Sequence, residues 1–366
     1  MTALSTTLNI LAWGGLIVFA ALLAFVVFAT LKYGPIIQRI FEVRPVFLPL
    51  HVRPEDEGEP VSFEAEGGVA LSGSYLRRRT EARAGVLVFC HEYLSDRWSY
   101  LPYADHLRDR GFDVFTFDFR NHGTSHRDPG YSPLQWTTTF EVADLRAALR
   151  HLRSREDHDR AGFGLVGVSR GGTTALVVGA EQPDVWGVIT DGAFPIRGTM
   201  TAYILRWAEI YINSKILLRL FPLWLYKLVG YISRRQSERK LRCRFPDVES
   251  AARRLAPRPW LAIHGEKDTY IGPDIARNLF NRAGQPKELW IVPGAKHNRC
   301  REANPGAYAA RQVDFLSRKA PRPLVDPPAA DVDPAPHAEP TDVPVHSDRT
   351  LTGSRLLPGI VAQVTG

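Results

Sequence analysis

Short apolar runs recur along this chain, each followed by a polar or glycine-rich loop and then by a segment with helical spacing. Runs of this kind include Gly85–Cys90, Asp113–Phe119, Phe163–Gly167 and Trp260–His264. Continuous apolar runs are typical of strands buried on both faces, and strands that alternate with helices form parallel sheets. The pattern up to Arg318 therefore predicts an α/β fold, with a mainly parallel central sheet flanked by helices.

A different hydrophobic pattern occupies the N-terminus. Residues 1–31 carry no charged side chain, and Ile10–Leu31 is almost continuously apolar. At about 1.5 Å per helical residue, this run matches a hydrocarbon core of about 30 Å. We predict an uncleaved transmembrane helix over residues 8–33, ended by Pro35. A cleaved signal peptide is the alternative, but the run is long for one and no basic residue precedes it.

Basic residues follow this segment: Lys32, Arg39, Arg44 and Arg53. Because Lys and Arg accumulate on the cytoplasmic side of a span, we expect a single-pass protein of the cell membrane with its main domain in the cytoplasm.

The strand–helix alternation is interrupted at residues 196–256, which are helical in pattern and rich in aromatic and basic residues. Arg219 and Lys227 argue against a second membrane span there. We predict a helical cap and leave two alternatives open, a cap that only covers the sheet and one that also dips into the bilayer. The predicted organisation is an anchor (8–33), a linker (34–60), the first part of the core (61–195), the cap (196–256), the second part of the core (257–319) and a disordered Pro-rich tail (320–366).

Composition narrows the functional classes. The formal net charge of +7 is spread over 366 residues without a nucleic-acid-binding motif, so no nucleic acid partner is expected. The three cysteines lack metal-ligand spacing, and Cys90, at the end of an apolar run, is expected to be a buried thiol. We therefore predict neither a metal nor a cofactor, and leave the oligomeric state open.

Candidate chemistry begins at Gly167–Gly172, which reads Gly-Val-Ser-Arg-Gly-Gly. It lies between a predicted strand and a predicted helix, the setting in which G-x-S-x-G forms a nucleophile elbow. Ser169 would point away from the sheet over a helix N-terminus, whose N–H groups and dipole suit an oxyanion.

A serine nucleophile needs a base and an acid that orients the base. Asp268 and His297 each follow a later predicted strand, so the loops that carry them should meet that of Ser169 at one sheet edge. Asp191 also follows a strand and is kept as an alternative acid.

In this arrangement the sequence resembles the α/β-hydrolase superfamily over residues 61–318. The matching landmarks, in chain order, are His91, Asp118–Ser125, Gly167–Gly172, His264–Asp268 and Gly294–His297.

The resemblance implies that Ser169 is the nucleophile, His297 the general base and then acid, and Asp268 the residue that orients it. It implies an oxyanion hole made of the backbone N–H groups of Arg170 and Tyr93. The usual glycine after His91 is Glu92 here, whose backbone competes with Tyr93 for that role, and its carboxylate would oppose an oxyanion unless it is paired or turned away.

We expect His91 to bind loop backbone, His122 to be structural and the Arg170 side chain to be structural rather than a binder of substrate. The function predicted is hydrolysis of a carboxylic ester or thioester by a membrane-anchored, lipase- or esterase-like enzyme, with a lipid-like substrate inferred only from the anchor and the cap. Two alternatives stay open: a serine peptidase of the same fold, and a non-catalytic membrane scaffold.

Overall fold

The computed structural model of the protein describes residues 2–43, 50, 52–54, 56–211 and 221–325. Its centre is an eight-stranded sheet with the strand order β1-β2-β4-β3-β5-β6-β7-β8. The strands are β1 (Glu59–Ala65), β2 (Val69–Leu76), β3 (Gly85–Cys90), β4 (Phe112–Phe117), β5 (Phe163–Val168), β6 (Val185–Asp191), β7 (Trp260–Gly265) and β8 (Lys287–Val292). The pairings β1–β2 and β2–β4 are antiparallel, and those from β4 to β8 are parallel. The predicted mainly parallel sheet is confirmed.

One long helix precedes the sheet, and the other helices come between or after the parallel strands. They are α1 (Thr2–Glu42), α2 (Tyr100–Ala104), α3 (Thr139–Ser154), α4 (Arg170–Gly179), α5 (Ile196–Tyr211), α6 (Leu223–Lys240), α7 (Val248–Leu255), α8 (Pro273–Arg282), α9 (Cys300–Ala303) and α10 (Pro305–Lys319).

Two hydrophobic clusters lie on opposite sides of the sheet, because successive strand side chains alternate between its faces. Along β3, Val86 and Val88 belong to one cluster, and Leu87 and Phe89 belong to the other. Burial on both faces explains the continuous apolar runs in the sequence. Cys90 is fully buried, as expected.

The N-terminal helix α1 continues beyond Pro35 to Glu42, so the predicted end of the helix was wrong. A proline removes one helical hydrogen bond but does not by itself prevent the helix from continuing. Tertiary packing holds the following turns, because Ile37, Ile40 and Phe41 are buried in the main core cluster. Residues 34–42, expected as the start of the linker, are thus helical and packed on the body.

The cap region was predicted to be helical, and its described part consists of α5, α6, α7 and connecting segments. Residues 212–220 lie outside the described residues. The segment expected to begin the disordered tail also differs, because Arg322 binds the buried Asp159 through two hydrogen bonds of 2.6 and 2.7 Å. Residues 320–325 are therefore attached to the body, and 326–366 lie outside the described residues.

Candidate active site

The turn between β5 and α4 places Ser169 in a strained backbone conformation, with φ of 51° and ψ of −117°. Its N–H donates to the carbonyl oxygen of Asp191 at 2.7 Å. A β-carbon at position 171 would lie 2.1 Å from the Cys90 carbonyl oxygen, and one at position 167 would lie 2.6 Å from the carbonyl oxygen of Gly171. The two glycines are required for this close backbone packing, and strain of this kind is characteristic of functional positions.

Three of the predicted site residues form a continuous hydrogen-bonded chain. The Ser169 Oγ lies 2.9 Å from Nε2 of His297, and Nδ1 of the same imidazole lies 2.6 Å from Oδ2 of Asp268. The loops after β5, β7 and β8 carry these residues, so the parallel strands bring together side chains that are far apart in sequence.

The position of Asp268 is fixed from its other side. Its Oδ1 accepts hydrogen bonds from the backbone N–H groups of Tyr270 and Ile271, at 2.9 and 2.8 Å. Burial raises the pKa of this carboxyl, but the neighbouring His297 and the hydrogen bonds outweigh burial and hold the pKa below its ordinary value. An ionised Asp268 accepts the Nδ1 proton of His297 and leaves Nε2 free to accept the proton of Ser169 Oγ.

The pKa of His297 is raised above its ordinary value. Burial disfavours the imidazolium, but the charge and hydrogen bond of Asp268 favour it more strongly, with a further contribution from Asp191. The site can therefore stabilise a proton taken up by His297.

The alternative acid, Asp191, lies at the end of β6 and is fully buried. Burial is the main cause that raises its pKa to about 6. Since Asp268 occupies the hydrogen-bonding position at Nδ1 of His297, Asp268 rather than Asp191 orients the imidazole in this structure.

The loop that follows β3 carries the other residues predicted to surround an oxyanion. Tyr93 is buried, and its ring lies 5.4 Å from the guanidinium carbon of Arg170. Arg170 is the first residue of α4, so its N–H belongs to the group of amides that have no partner within a helix. Arg170 directly follows Ser169 in the chain, and Tyr93 contacts the Arg170 side chain, while the role of their N–H groups toward an oxyanion stays a prediction.

Glu92 is buried and paired. Its carboxylate was expected to oppose an oxyanion unless it is paired or turned away, and the first of these conditions is met. Its Oε2 accepts a hydrogen bond of 3.0 Å from the hydroxyl of Ser99. Burial is the largest cause of an upward shift in its pKa. The hydrogen bond from Ser99 acts in the opposite direction and favours the ionised form, without cancelling the effect of burial on the pKa.

The side chain of Arg170 is structural, as expected. It is fully buried and donates to the carbonyl oxygen of Leu134 and to Nε2 of His122, each at 3.1 Å. His122 in turn donates from Nδ1 to the Arg120 carbonyl oxygen at 2.9 Å, because its Nε2 accepts from Arg170. This network supports the loops behind the nucleophile.

His91 binds loop backbone on both ring nitrogens, as predicted. Its Nδ1 lies 2.7 Å from the Glu92 carbonyl oxygen, and its Nε2 accepts the N–H of Phe119 at 3.1 Å. Burial and the nearby Arg170 lower its pKa to about 3, so the imidazole is neutral.

Sequence reasoning did not identify Trp136, which connects α1 to the body of the protein. Its Nε1 donates to the Ile40 carbonyl oxygen at 3.2 Å, and its ring contacts Phe41, Phe194 and Tyr203. Trp136 lies in a loop without hydrophobic periodicity, so no local pattern indicates this role.

The fold and the geometry at Ser169 define an α/β hydrolase, and the comparisons agree. Residues 85–242 match the family model described as the alpha/beta hydrolase fold. The chain therefore has the α/β-hydrolase fold.

Individual proteins show the same likeness. The uncharacterized protein YfhR of Escherichia coli (strain K12) is 24% identical over 264 residues, which cover 70% of this chain and 80% of that protein. The uncharacterized protein YqkD of Bacillus subtilis (strain 168) is 28% identical over 234 residues, covering 63% and 70%. Among solved structures, the esterase Pf2001 of Pyrococcus furiosus has a TM-score of 0.56 and 22% identity, and the match covers 76% of this chain and 98% of that one. The structural likeness is one of fold.

Proposed function

We propose that this protein is a serine hydrolase that cleaves a carboxylic ester or thioester through an acyl-enzyme. The observation that carries the proposal is the hydrogen-bonded chain from Ser169 through His297 to Asp268, with the serine on a strained turn at a helix N-terminus. The esterase named among the structural neighbours has the same fold, which is consistent with this reaction class.

The reaction proceeds in two halves. In the first, the Ser169 Oγ attacks the acyl carbonyl carbon while Nε2 of His297 takes the serine proton, and Asp268 holds the imidazolium by accepting from Nδ1. The tetrahedral oxyanion is bound by the backbone N–H groups of Arg170 and Tyr93. The intermediate collapses, and His297 returns the proton to the departing alcohol or thiol.

In the second half, water attacks the acyl-serine and His297 takes the proton of that water. A second tetrahedral intermediate forms and collapses, the carboxylic acid leaves, and Ser169 recovers its proton. Each half transfers one proton through Nε2, so the raised pKa of His297 assists proton uptake in both.

The substrate is proposed to be lipid-like, and the protein to be a single-pass membrane protein with its hydrolase body in the cytoplasm. In the described part of the chain, α1 is the helix long and apolar enough to cross a membrane. The basic residues after it supply the orientation. A lipid-like substrate is inferred from this proposed anchoring and from the exposed apolar side chains Leu223 and Trp224 of the cap.

Labelling with a fluorophosphonate probe tests the reaction class. The full-length protein and a Ser317→Ala control, changed at an exposed serine on α10, should react, and Ser169→Ala should not. Absence of labelling in the wild type would refute the proposed enzyme, and labelling that persists in Ser169→Ala would refute the proposed nucleophile.

Turnover of short- and long-chain acyl esters, acyl thioesters and short peptides then tests the substrate class. Faster cleavage of the peptides than of the acyl substrates would contradict the ester or thioester assignment.

A further inference from the structure

The cap helix α6 packs along the second half of α1, and the two helices run parallel. The rings of Phe25 and Phe221, which lies just before α6, stack with centroids 5.2 Å apart. Farther along, Gln38 donates to Gln236 at 2.6 Å, and Glu42 accepts from Ser237 at 3.2 Å. Positions along α6 therefore correspond to positions along α1.

The exposed surface changes from apolar to charged at the same level on both helices. On α1, Leu31 is 74% exposed and is followed directly by Lys32. On α6, Leu223 and Trp224 are each 48% exposed and are followed by the exposed Lys227. At about 1.5 Å per helical residue, Phe25 lies roughly 10 Å before Lys32, so the first turn of α6 lies on the apolar side of this boundary.

The end of α5 reaches the same level. A β-carbon on Gly230 of α6 would lie 2.7 Å from Cδ1 of Ile204, and α5 continues from there to Ile210, which is 42% exposed. The neighbouring Glu209 is also exposed, and a carboxylate limits how far this end can enter hydrocarbon. At the boundary between acyl chains and head groups, Ile210 can contact the acyl chains while the Glu209 carboxylate stays among the head groups.

Residues on the other side of the boundary suit head groups. Lys227 and the half-exposed Tyr231 line a cleft of about 510 Å³ together with Arg197, Arg234, Arg282 and Glu249. Arg197 and Arg234 form ion pairs with carboxylates, so Lys227 and Arg282 supply the basic charge that remains for a head group. Tyrosine is enriched at membrane interfaces, and lysine and arginine are attracted to anionic lipids.

We propose that Leu223, Trp224 and Ile210 form a membrane-inserted tip of the cap, seated in the leaflet from which α1 emerges. The occupant of this surface is the lipid bilayer, because the tip continues the apolar surface of α1 and ends at the same level in basic residues. The inference rests on the proposed membrane anchoring, and it fixes the cap of the hydrolase at the membrane surface, where a lipid-like substrate would enter.

Site-specific fluorescence tests this seating in the full chain. The native cysteines Cys90, Cys243 and Cys300 are buried, so an exposed engineered cysteine can be labelled selectively with an environment-sensitive fluorophore. The variants are Trp224→Cys in the tip, Leu22→Cys in α1 and Ser317→Cys on the far body as a control. Each is reconstituted into phosphatidylcholine–phosphatidylglycerol vesicles with and without lipids that carry a nitroxide on the acyl chain.

We expect a blue-shifted emission and a loss of fluorescence to the nitroxide lipids at positions 22 and 224, and no loss at 317. Quenching at 22 without quenching at 224 would overturn the inserted tip and leave the membrane anchor standing. No quenching at either position would overturn both. Leu223→Cys is a second tip variant, and retained fluorophosphonate labelling of each variant verifies that the protein has folded.

Discussion

Replacing Asp268 with asparagine is expected to leave the fold intact and to abolish most of the activity. Oδ1 of Asp268 accepts two backbone N–H groups, so the asparagine oxygen must occupy that position. The opposite orientation would aim an NH₂ group at two donors and leave buried donors unsatisfied, at about 1–3 kcal/mol each. The amide NH₂ therefore takes the place of Oδ2, the oxygen that lies 2.6 Å from Nδ1 of His297 in the wild type.

A donor at that position forces Nδ1 to accept and moves the imidazole proton to Nε2. Nε2 then points an N–H at the Ser169 hydroxyl and cannot take its proton. The same aspartate-to-asparagine change in a serine protease lowers kcat about 10⁴-fold, which corresponds to about 5 kcal/mol of transition-state stabilisation, and we expect a loss of that order here.

The assay is kcat/KM for a short-chain chromogenic ester, together with the rate of fluorophosphonate labelling and the Tm. A matched control is Asp314→Asn on the exposed face of α10, which should retain full activity. A folded Asp268→Asn protein with activity within about tenfold of wild type would refute the tautomer argument. If Asp191→Asn were then the inactive variant, the acid would have to be reassigned to β6.

Three further outcomes are expected. Gly171→Ala places a β-carbon 2.1 Å from a backbone oxygen and should destabilise the folded protein by more than about 2 kcal/mol. Gly306→Ala is the matched control, because its β-carbon would have no atom within 4 Å, and it should not destabilise the fold. Equal Tm values for the two variants would contradict the packing argument. Activity needs neutral His297, so kcat/KM should rise with pH through a pKa above 6.5. Asp191→Asn, which removes a charge that raises this pKa, should move that rise to lower pH, and an unmoved profile would show that Asp191 does not act on His297. Trp136→Ala removes a buried ring that joins α1 to the body and should destabilise the fold by about 3–5 kcal/mol, seen as a lower Tm. An unchanged Tm would mean that α1 is not held through this residue.

The packing of α1 against the core restricts how the body of the protein can turn relative to this helix. A flexible linker after α1 would leave the body free to turn, but Ile40 and Phe41 are buried against it and Trp136 binds the Ile40 carbonyl oxygen. Helix α1, the proposed membrane anchor, is therefore continuous with a part of the core. Deletion of α1 up to Glu42 is expected to destabilise the body, seen as a lower Tm.

Local pattern was sufficient for the strands and for the nucleophile turn. Continuous apolar runs identified strands buried on both faces, and the spacing of glycines around Ser169 identified a turn whose backbone has no room for side chains. The order of polar residues after successive strands also indicated which side chains meet, because the carboxyl ends of parallel strands share one edge.

Tertiary contacts decided what local pattern could not. Pro35 reads as a helix end, yet packing of the following turns keeps α1 helical to Glu42. Glu92 reads as a solvated charge near an oxyanion, yet its side chain is buried, and burial raises the pKa of this carboxyl.

The class of fold and the candidate residues Ser169, Asp268 and His297 could be inferred from sequence, since they depend on short-range backbone preference and on strand order. The contact of His297 with Asp268 rather than Asp191, and the parallel packing of α6 on α1, could not. Both outcomes depend on distances between segments far apart in the chain, which the packing of the whole body sets.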